Sequence, residues 1–261
     1  MFQFDCHAHV FENATAIPDA RYVPKQSAKL SNWLENLKIH GVKGGVLVQV
    51  SFLGNDNSQL CAALEQLDVS KFAGVAVVPL NVMDVELDNL VEVGVRGVRW
   101  NLVQGAAVPD AATPQVQTFF EKLRSRNLHL ELHLEGPRLA KVLPSLSDQG
   151  VALVVDHFGL PTEANARADP MLAALGEVRD RKNIFFKFSA PYRTAFDLTA
   201  HSESILGFIG QDRVVWGSDW PHTQHEHVEY CDAIGQLAHG RDVLGSEAAV
   251  RELFGINLAC V

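Results

Sequence analysis

The stretch "FDCHAHVFE", residues 4–12, decides how the fold is read. A strand repeats every two residues, so His7 and His9 leave one strand in the same direction. Two inward polar side chains at the end of a first short strand suit a parallel sheet whose strands all end on one face. Further along, the chain alternates short apolar, β-branched runs with longer amphipathic ones, the pattern of βα units. The expected strands are "QFDCHAHV", "GGVLVQV", "FAGVAVVP", "RGVRWNL", "HLELHLE", "VALVVDHFG", "IFFKFSA" and "RVVWGSDW". Helical patterns lie between them, among them "LSNWLENLKIHG", "NSQLCAALEQLD", "DVELDNLVEVG", "TPQVQTFFEKLRSRN" and "PMLAALGEVRDR", and "SEAAVRELFGINLA" closes the series. Eight strands alternating with helices in a chain of 261 residues predict a single α/β domain, a (β/α)8 TIM barrel. A doubly wound open sheet is the competitor. No GxGxxG follows the first strand and no GxxxxGK[ST] loop is present, which removes its nucleotide signatures.

Composition narrows the function classes. Hydrophobic residues are 47% and charged residues 20% of the chain, ordinary for a protein that buries a sizeable core. The net charge of −9, with no strongly basic stretch, argues against nucleic acid as a partner. The apolar runs are strand-length, so no membrane partner is expected. Cys6, Cys61, Cys231 and Cys260 form no CxxC pair. They read as reduced, mostly buried thiols of a cytoplasmic protein, and no signal peptide is expected before "FDCHAHVF". The oligomeric state is left open.

In a barrel, catalytic residues sit at the carboxyl ends of strands. Here the polar residues fall late in their strands: His7 and His9, then Arg99 and Asn101, then Glu131, His133 and Glu135. They continue with Asp156 and His157, with Lys187, Tyr192 and Arg193, and with Asp219 and His222. Singly, each has a plain structural explanation. His133 could be a hydrogen-bonded core histidine, Asp219 a helix cap, and Arg99 or Arg193 half of a surface ion pair. Histidines from three separate strands and an aspartate from a fourth, all at one end, make a site. In "HTQHEH", residues 222–227, His222 is expected near the pocket, and His225 and His227 are expected in solvent.

The motifs "DCHAHVFE", "RGVRWN", "DHFG", "KFSAPYR" and "GSDWPHT", in barrel order, resemble the amidohydrolase superfamily, and within it the 2-pyrone-4,6-dicarboxylate lactonase branch. The resemblance runs the length of the chain and implies one amidohydrolase-like barrel domain over residues 1–261. It implies hydrolysis of a small anionic lactone, with Asp219 as general base and His7, His9 and His157 polarising the carbonyl. It also implies that Arg99 and Arg193 hold substrate carboxylates, neither having an obvious local partner, while Tyr22 and Ser51 line the pocket. His133 and His222 complete the implied substrate-binding set. Three positions differ from that branch: "RWNLVQGAA" lacks a further arginine, Leu53 stands where a histidine is expected, and His133 replaces a tyrosine. A lactone with one carboxylate, or a sugar-acid lactone, is therefore a competitor to the pyrone dicarboxylate.

His7, His9, His133, His157 and Asp219 would make a set for a single divalent ion such as Zn or Mn. The pyrone lactonases work without a metal, so no required cofactor is the expectation. Two alternatives stand beside the lactonase. One is a metal-dependent decarboxylase of an unsaturated or aromatic carboxylic acid, kept by His133. The other is a barrel that only binds an organic acid.

Overall fold

The computed structural model describes residues 4–13, 15–230 and 246–257. Its strands are β1 (Phe4–Ala8), β2 (Gly44–Val48), β3 (Phe72–Ala76), β4 (Val95–Asn101), β5 (His129–His133), β6 (Leu153–Val155), β7 (Ile184–Ser189) and β8 (Val214–Gly217). They form one parallel eight-stranded sheet in the order β1 to β8. Backbone bonds from His9 N–H to the Trp220 carbonyl and from Asp219 N–H to the His7 carbonyl, both 2.8 Å, tie β1 to the segment after β8. Gly217 lies at this seam because any Cβ there would come within 2.5 Å of the His7 Cβ. All eight strands expected from the alternation are present, and the architecture is a TIM barrel.

The helices are α1 (Leu30–Ile39), α2 (Ser58–Leu64), α3 (Asp84–Glu92), α4 (Pro114–Ser125), α5 (Gly136–Ser147), α6 (Pro170–Glu177) and α7 (Thr199–Ile209), followed by Glu247–Phe254. In α4, Pro114 sits in the first turn and Val116, Phe119, Phe120 and Leu123 are buried, a single stripe at helical spacing. Burying each such side chain contributes about 1.5–3 kcal/mol over leaving it in water. The Asp169 carboxylate caps α6 by accepting from the Leu172 N–H. α5 and α7 are not among the helical patterns quoted from the sequence. Two prolines in α5 and the polar start of α7, "TAHSES", obscure the pattern, and packing against the barrel overrides both.

Two large apolar cores result, with a smaller third of Phe11, Ala28, Val50, Phe52 and Leu53. The outer one lies between sheet and helices and includes Leu47, Trp100, Leu130, Leu132 and Trp216. The inner one fills the lower lumen with Phe4, Cys6, Val46, Val48, Val75, Val154, Phe185 and Val215, closed by Val250, Leu253 and Phe254 of the last helix. Cys6 is buried and Cys61 half-buried, while Cys231 and Cys260 lie outside the described residues. The final residues of the "SEAAVRELFGINLA" pattern, 258 and 259, lie outside them too. Among the described residues no helix is long and apolar enough to cross a membrane.

One irregularity matters for the site. Between Asp5 and Ala8, β1 spends three residue steps against two of β2. Cys6 and His7, though consecutive, both contribute to the lumen. Asp5 is turned the other way, onto the Trp33 indole (3.1 Å), the Ser218 hydroxyl (2.7 Å) and the Tyr230 hydroxyl (3.0 Å). The bulge re-aims the side chains that simple alternation would place.

Candidate active site

Above the apolar plug the lumen becomes polar, because the inward positions change from Gly97 to Arg99 on β4, from Val154 to Asp156 at the end of β6 and from Phe185 to Lys187 on β7. Strand register sets Arg99 beside Glu131 and Asn101 beside His133. Lys187 reaches Glu131 Oε2 at 2.6 Å and Asp156 Oδ1 at 3.6 Å. Arg99 grips Asp156 Oδ2 through Nε (2.9 Å) and a terminal nitrogen (2.8 Å). All four side chains are almost inaccessible to water. Two cations meet two carboxylates, the condition under which buried charge is tolerated. Burial resists ionisation of Asp156, but the charges of Arg99 and Lys187 hold its carboxyl well below the usual carboxylate range.

His7 stands on this layer. Its Nδ1 lies 3.1 Å from the Lys187 ammonium, 3.4 Å from Asp156 and 3.6 Å from Glu131. Burial first, and the Lys187 charge second, lower its pKa to about 3, so the ring is neutral. Its Nε2 points up towards Asp219 Oδ1, 3.6 Å away. His9 Nε2 lies 3.4 Å and His157 Nε2 3.8 Å from the same oxygen. The far nitrogens of these two rings are anchored, His9 by donating from Nδ1 to the Val48 carbonyl (2.7 Å) and His157 by pairing with the Ser189 hydroxyl (2.8 Å).

Asp219 is divided between two tasks. Oδ2 accepts from the Tyr192 hydroxyl (2.6 Å) and from Arg193 through Nε (3.0 Å) and a terminal nitrogen (2.6 Å). Oδ1 faces the three imidazoles and has no hydrogen-bond partner among the described residues, and neither has His7 Nε2. Burial opposes the charge on Asp219, but the Arg193 guanidinium keeps its carboxyl well below the ordinary range. The backbone is left-handed at both His157 (φ 51°) and Asp219 (φ 60°). Non-glycine residues held so cost of order 1–3 kcal/mol each and collect at functional sites.

A cavity of about 250 Å³ opens directly above, lined among others by His9, Tyr22, Ser51, Arg99, Asn101, His133, His157, Arg193 and Asp219. Most residues expected at the site therefore converge there, with five differences, the first being that His7 is fully buried beneath the cavity and is not one of its lining residues. Arg99 and Arg193 line the cavity but are not unpartnered, being paired with Asp156 and Asp219. The partners lie far away in sequence, which concealed them. His222 is buried with its ring 5.8 Å from that of Tyr192 and does not line the cavity. His225, expected in solvent, is half-buried against Tyr192 and lines the cavity, whereas His227 is exposed. Lastly, His133 groups with Asp156 and His157 rather than with Asp219. Burial and the charge of Arg99 hold His133 well below the ordinary histidine range. Sequence reasoning missed Arg21, a cavity residue that no spacing signals, and, though it placed Lys187 at the site end of β7, it gave that lysine no role in the charge layer. An isolated lysine in the otherwise apolar "IFFKF" was a visible signal for the latter.

The donors fit a single divalent ion. His7, His157 and Asp219 offer atoms within 4.8 Å of one another, and Asp219 Oδ1 and His7 Nε2 are buried without a partner. Because His9 donates from Nδ1, its Nε2 lone pair faces the Asp219 carboxylate, an arrangement that invites a cation between them. The nitrogen–oxygen separations of 3.4–3.8 Å approach the ligand–ligand edge of a tetrahedral site with bonds of about 2.0–2.2 Å. Lys187 speaks against His7 as a ligand, since an ammonium only donates and its contact with Nδ1 leaves the ring proton on Nε2.

Eight parallel strands with a histidine–aspartate cluster at their carboxyl ends define a barrel of the metal- or acid-base-hydrolase kind. The chain belongs to the amidohydrolase family, which it matches over residues 4–257. A probable 2-pyrone-4,6-dicarboxylic acid hydrolase from Acinetobacter baumannii, crystallised with citric acid bound, superposes with a TM-score of 0.88 and 33% identity, over 98% of this chain and 100% of that one. A 2-pyrone-4,6-dicarboxylate hydrolase from Comamonas testosteroni is 27% identical over 84% of this chain and 76% of its own length. A 4-sulfomuconolactone hydrolase from Rhizobium radiobacter is 28% identical over the same shares, 84% and 76%.

Proposed function

We propose that this chain hydrolyses the ring ester of a small lactone that carries at least one carboxylate. Asp219 is the observation that carries the reading. One of its oxygens is locked by Tyr192 and Arg193, and the other is open, faced by three imidazoles, under a cavity walled by arginines. Two relatives are lactone hydrolases, which supports the same class.

Water placed between Oδ1 and the ring carbonyl carbon gives its proton to Oδ1 as the new C–O bond forms. The carbonyl electrons move to oxygen, where His7 Nε2–H donates a hydrogen bond to the oxyanion. Collapse breaks the ring C–O bond, and Asp219 passes its proton to the leaving oxygen and regains its charge. His9 and His157, held by Val48 and Ser189, orient the water and the carbonyl. A divalent ion, held by His157 and Asp219 with His9 Nε2 as the neighbouring donor, would supply Lewis-acid polarisation of that carbonyl.

Arg193 links binding to basicity. A substrate carboxylate arriving at its guanidinium competes with Asp219 Oδ2. The pull that keeps Asp219 a weak base then relaxes, and Oδ1 becomes a stronger proton acceptor when substrate is present.

A hydrolysis screen across pyrone carboxylates, muconolactones and sugar-acid lactones, with and without chelator, tests the reading by acid release in a pH-stat. Ring opening of at least one carboxylated lactone is expected. A protein that opens none of them but releases CO2 from an aromatic carboxylic acid is instead a decarboxylase, a second reading that the His133, Asp156 and His157 donor group favours.

A further inference from the structure

We propose that Arg21 is a specificity-determining residue that receives a second anionic group of the substrate, on the cavity wall built by the loops after β1 and β4. The inference rests on the lactonase reading and extends it. Three guanidiniums line the cavity: Arg21, Arg99 and Arg193. Two are already neutralised, Arg99 by Asp156 and Arg193 by Asp219. Arg21 differs from both. Among the described residues no carboxylate lies within 4.0 Å of it, and its hydrogen bonds go to the Val103 carbonyl (2.7 Å) and to Asn101 Oδ1 (2.6 Å).

Those acceptors are neutral, so they orient the guanidinium without discharging it. A guanidinium carries five N–H donors, and two are committed here. The group is half-buried, and both burial and the neighbouring Arg99 charge disfavour its cationic form. An anion bound there relieves both costs at once. Within the wall, Glu135 favours the Arg21 cation only from a distance, without an ion pair, and the net effect remains unfavourable. Besides Asp219 the carboxylate lining the cavity is Glu135, which is engaged by Arg138 (2.9 Å) and the Gln104 N–H (2.6 Å).

Arg21 also stands where a ring substituent would emerge. A second depression, lined by Ile17, Asp19 and Ala106, shares Arg21, Ser51 and Asn101 with the main cavity. A lactone whose ester lies over Asp219 and whose first carboxylate meets Arg193 can thus direct a second anionic substituent towards Arg21. A planar carboxylate pairs with the guanidinium in a two-point fork, and a sulfonate offers the same oxygens in tetrahedral form.

The test measures binding of non-hydrolysable probes by calorimetry: isophthalate with two carboxylates, 3-sulfobenzoate with one carboxylate and one sulfonate, and benzoate with one carboxylate. Arg21→Met keeps the aliphatic stem and removes the charge. It should weaken isophthalate, 3-sulfobenzoate or both by about 10- to 100-fold, the size of a lost charged hydrogen bond, and leave benzoate within about twofold. Arg21→Lys should fall between wild type and Arg21→Met. Which dianion loses more tells carboxylate from sulfonate. Equal weakening of all three probes, or no change in any, overturns the proposal. Thermal melting of both variants identifies misfolding, in which case Arg21→Lys alone decides by the same ratio of dianion to benzoate. Lactone hydrolysis by the wild type, run in parallel, reads the lactonase assignment separately from Arg21.

Discussion

The polar lumen has two layers, one above the other, and they treat charge in opposite ways. In the lower layer Lys187, Arg99, Glu131 and Asp156 neutralise one another, closed off from solvent. In the upper layer Asp219 keeps one oxygen without a partner, and so does the Nε2 of His7. The lower layer balances its own charges, though Glu131 and Asp156 Oδ1 make ion-pair contacts rather than full hydrogen bonds, and it serves as a platform. The upper layer is completed only by what enters the cavity. His7 joins the two, with Nδ1 on the platform and Nε2 in the site. A self-sufficient charge network can therefore orient a side chain whose other end is kept unsatisfied for chemistry.

This contrast breaks most visibly at Asp219. Asp219→Asn retains the shape and removes the proton acceptor, so turnover should drop by about 10²–10⁴-fold in steady-state assays. The melting temperature should change far less than the rate. Near wild-type turnover of a confirmed lactone would end the mechanism proposed above.

The platform should respond in the opposite sense. Lys187→Met leaves Glu131 buried without its 2.6 Å partner, and destabilisation of about 3–5 kcal/mol is expected in denaturant titrations. The double variant Lys187→Met/Glu131→Leu should recover most of that loss. Full stability in the single variant would show that the platform does not depend on this pair.

Arg193→Met touches both binding and the base. KM for a carboxylated lactone should rise by roughly tenfold, from loss of a charged hydrogen bond. Without the guanidinium Asp219 regains basicity, so the acid limb of kcat/KM should move to higher pH. An unmoved limb would separate Arg193 from the base.

Stability should also depend on pH. His7, His133 and His157 all have folded pKa values below that of an exposed histidine, His7 at about 3, with burial the main cause. Below about pH 6.5 the unfolded chain binds protons that the folded one refuses, so stability is full above that pH and falls as the solution is acidified. Between pH 7.5 and 5.5 the loss should be about 1 kcal/mol per histidine, measured as a shift in the denaturation midpoint. A midpoint constant across that range would mean these rings accept protons in the folded state.

The histidines and Asp219 were legible because their positions follow from local rules. Strand period decides which residues of a strand share a face, and a parallel barrel brings all carboxyl ends together. What was not legible shares one property: long range. Arg99 meets Asp156 57 residues on, and Lys187 meets His7 across 180. The bulge that turns Asp5 away from the lumen depends on how β1 registers against β2, and no pattern within "FDCHAH" announces it.

The sequence by itself determined eight strands, their parallel order, and the end of the barrel at which histidine and aspartate collect. Hydrophobic period and strand alternation act within a few residues, so one chain read linearly contains them. Only the tertiary structure decided which charges are spent on each other and which are left for a ligand. Arg99, Arg193 and Arg21 are the same residue type on the same cavity, two discharged by carboxylates and one held by neutral oxygens. That difference depends on electrostatic distances between segments the fold brings together, and those distances exist only once the barrel has closed.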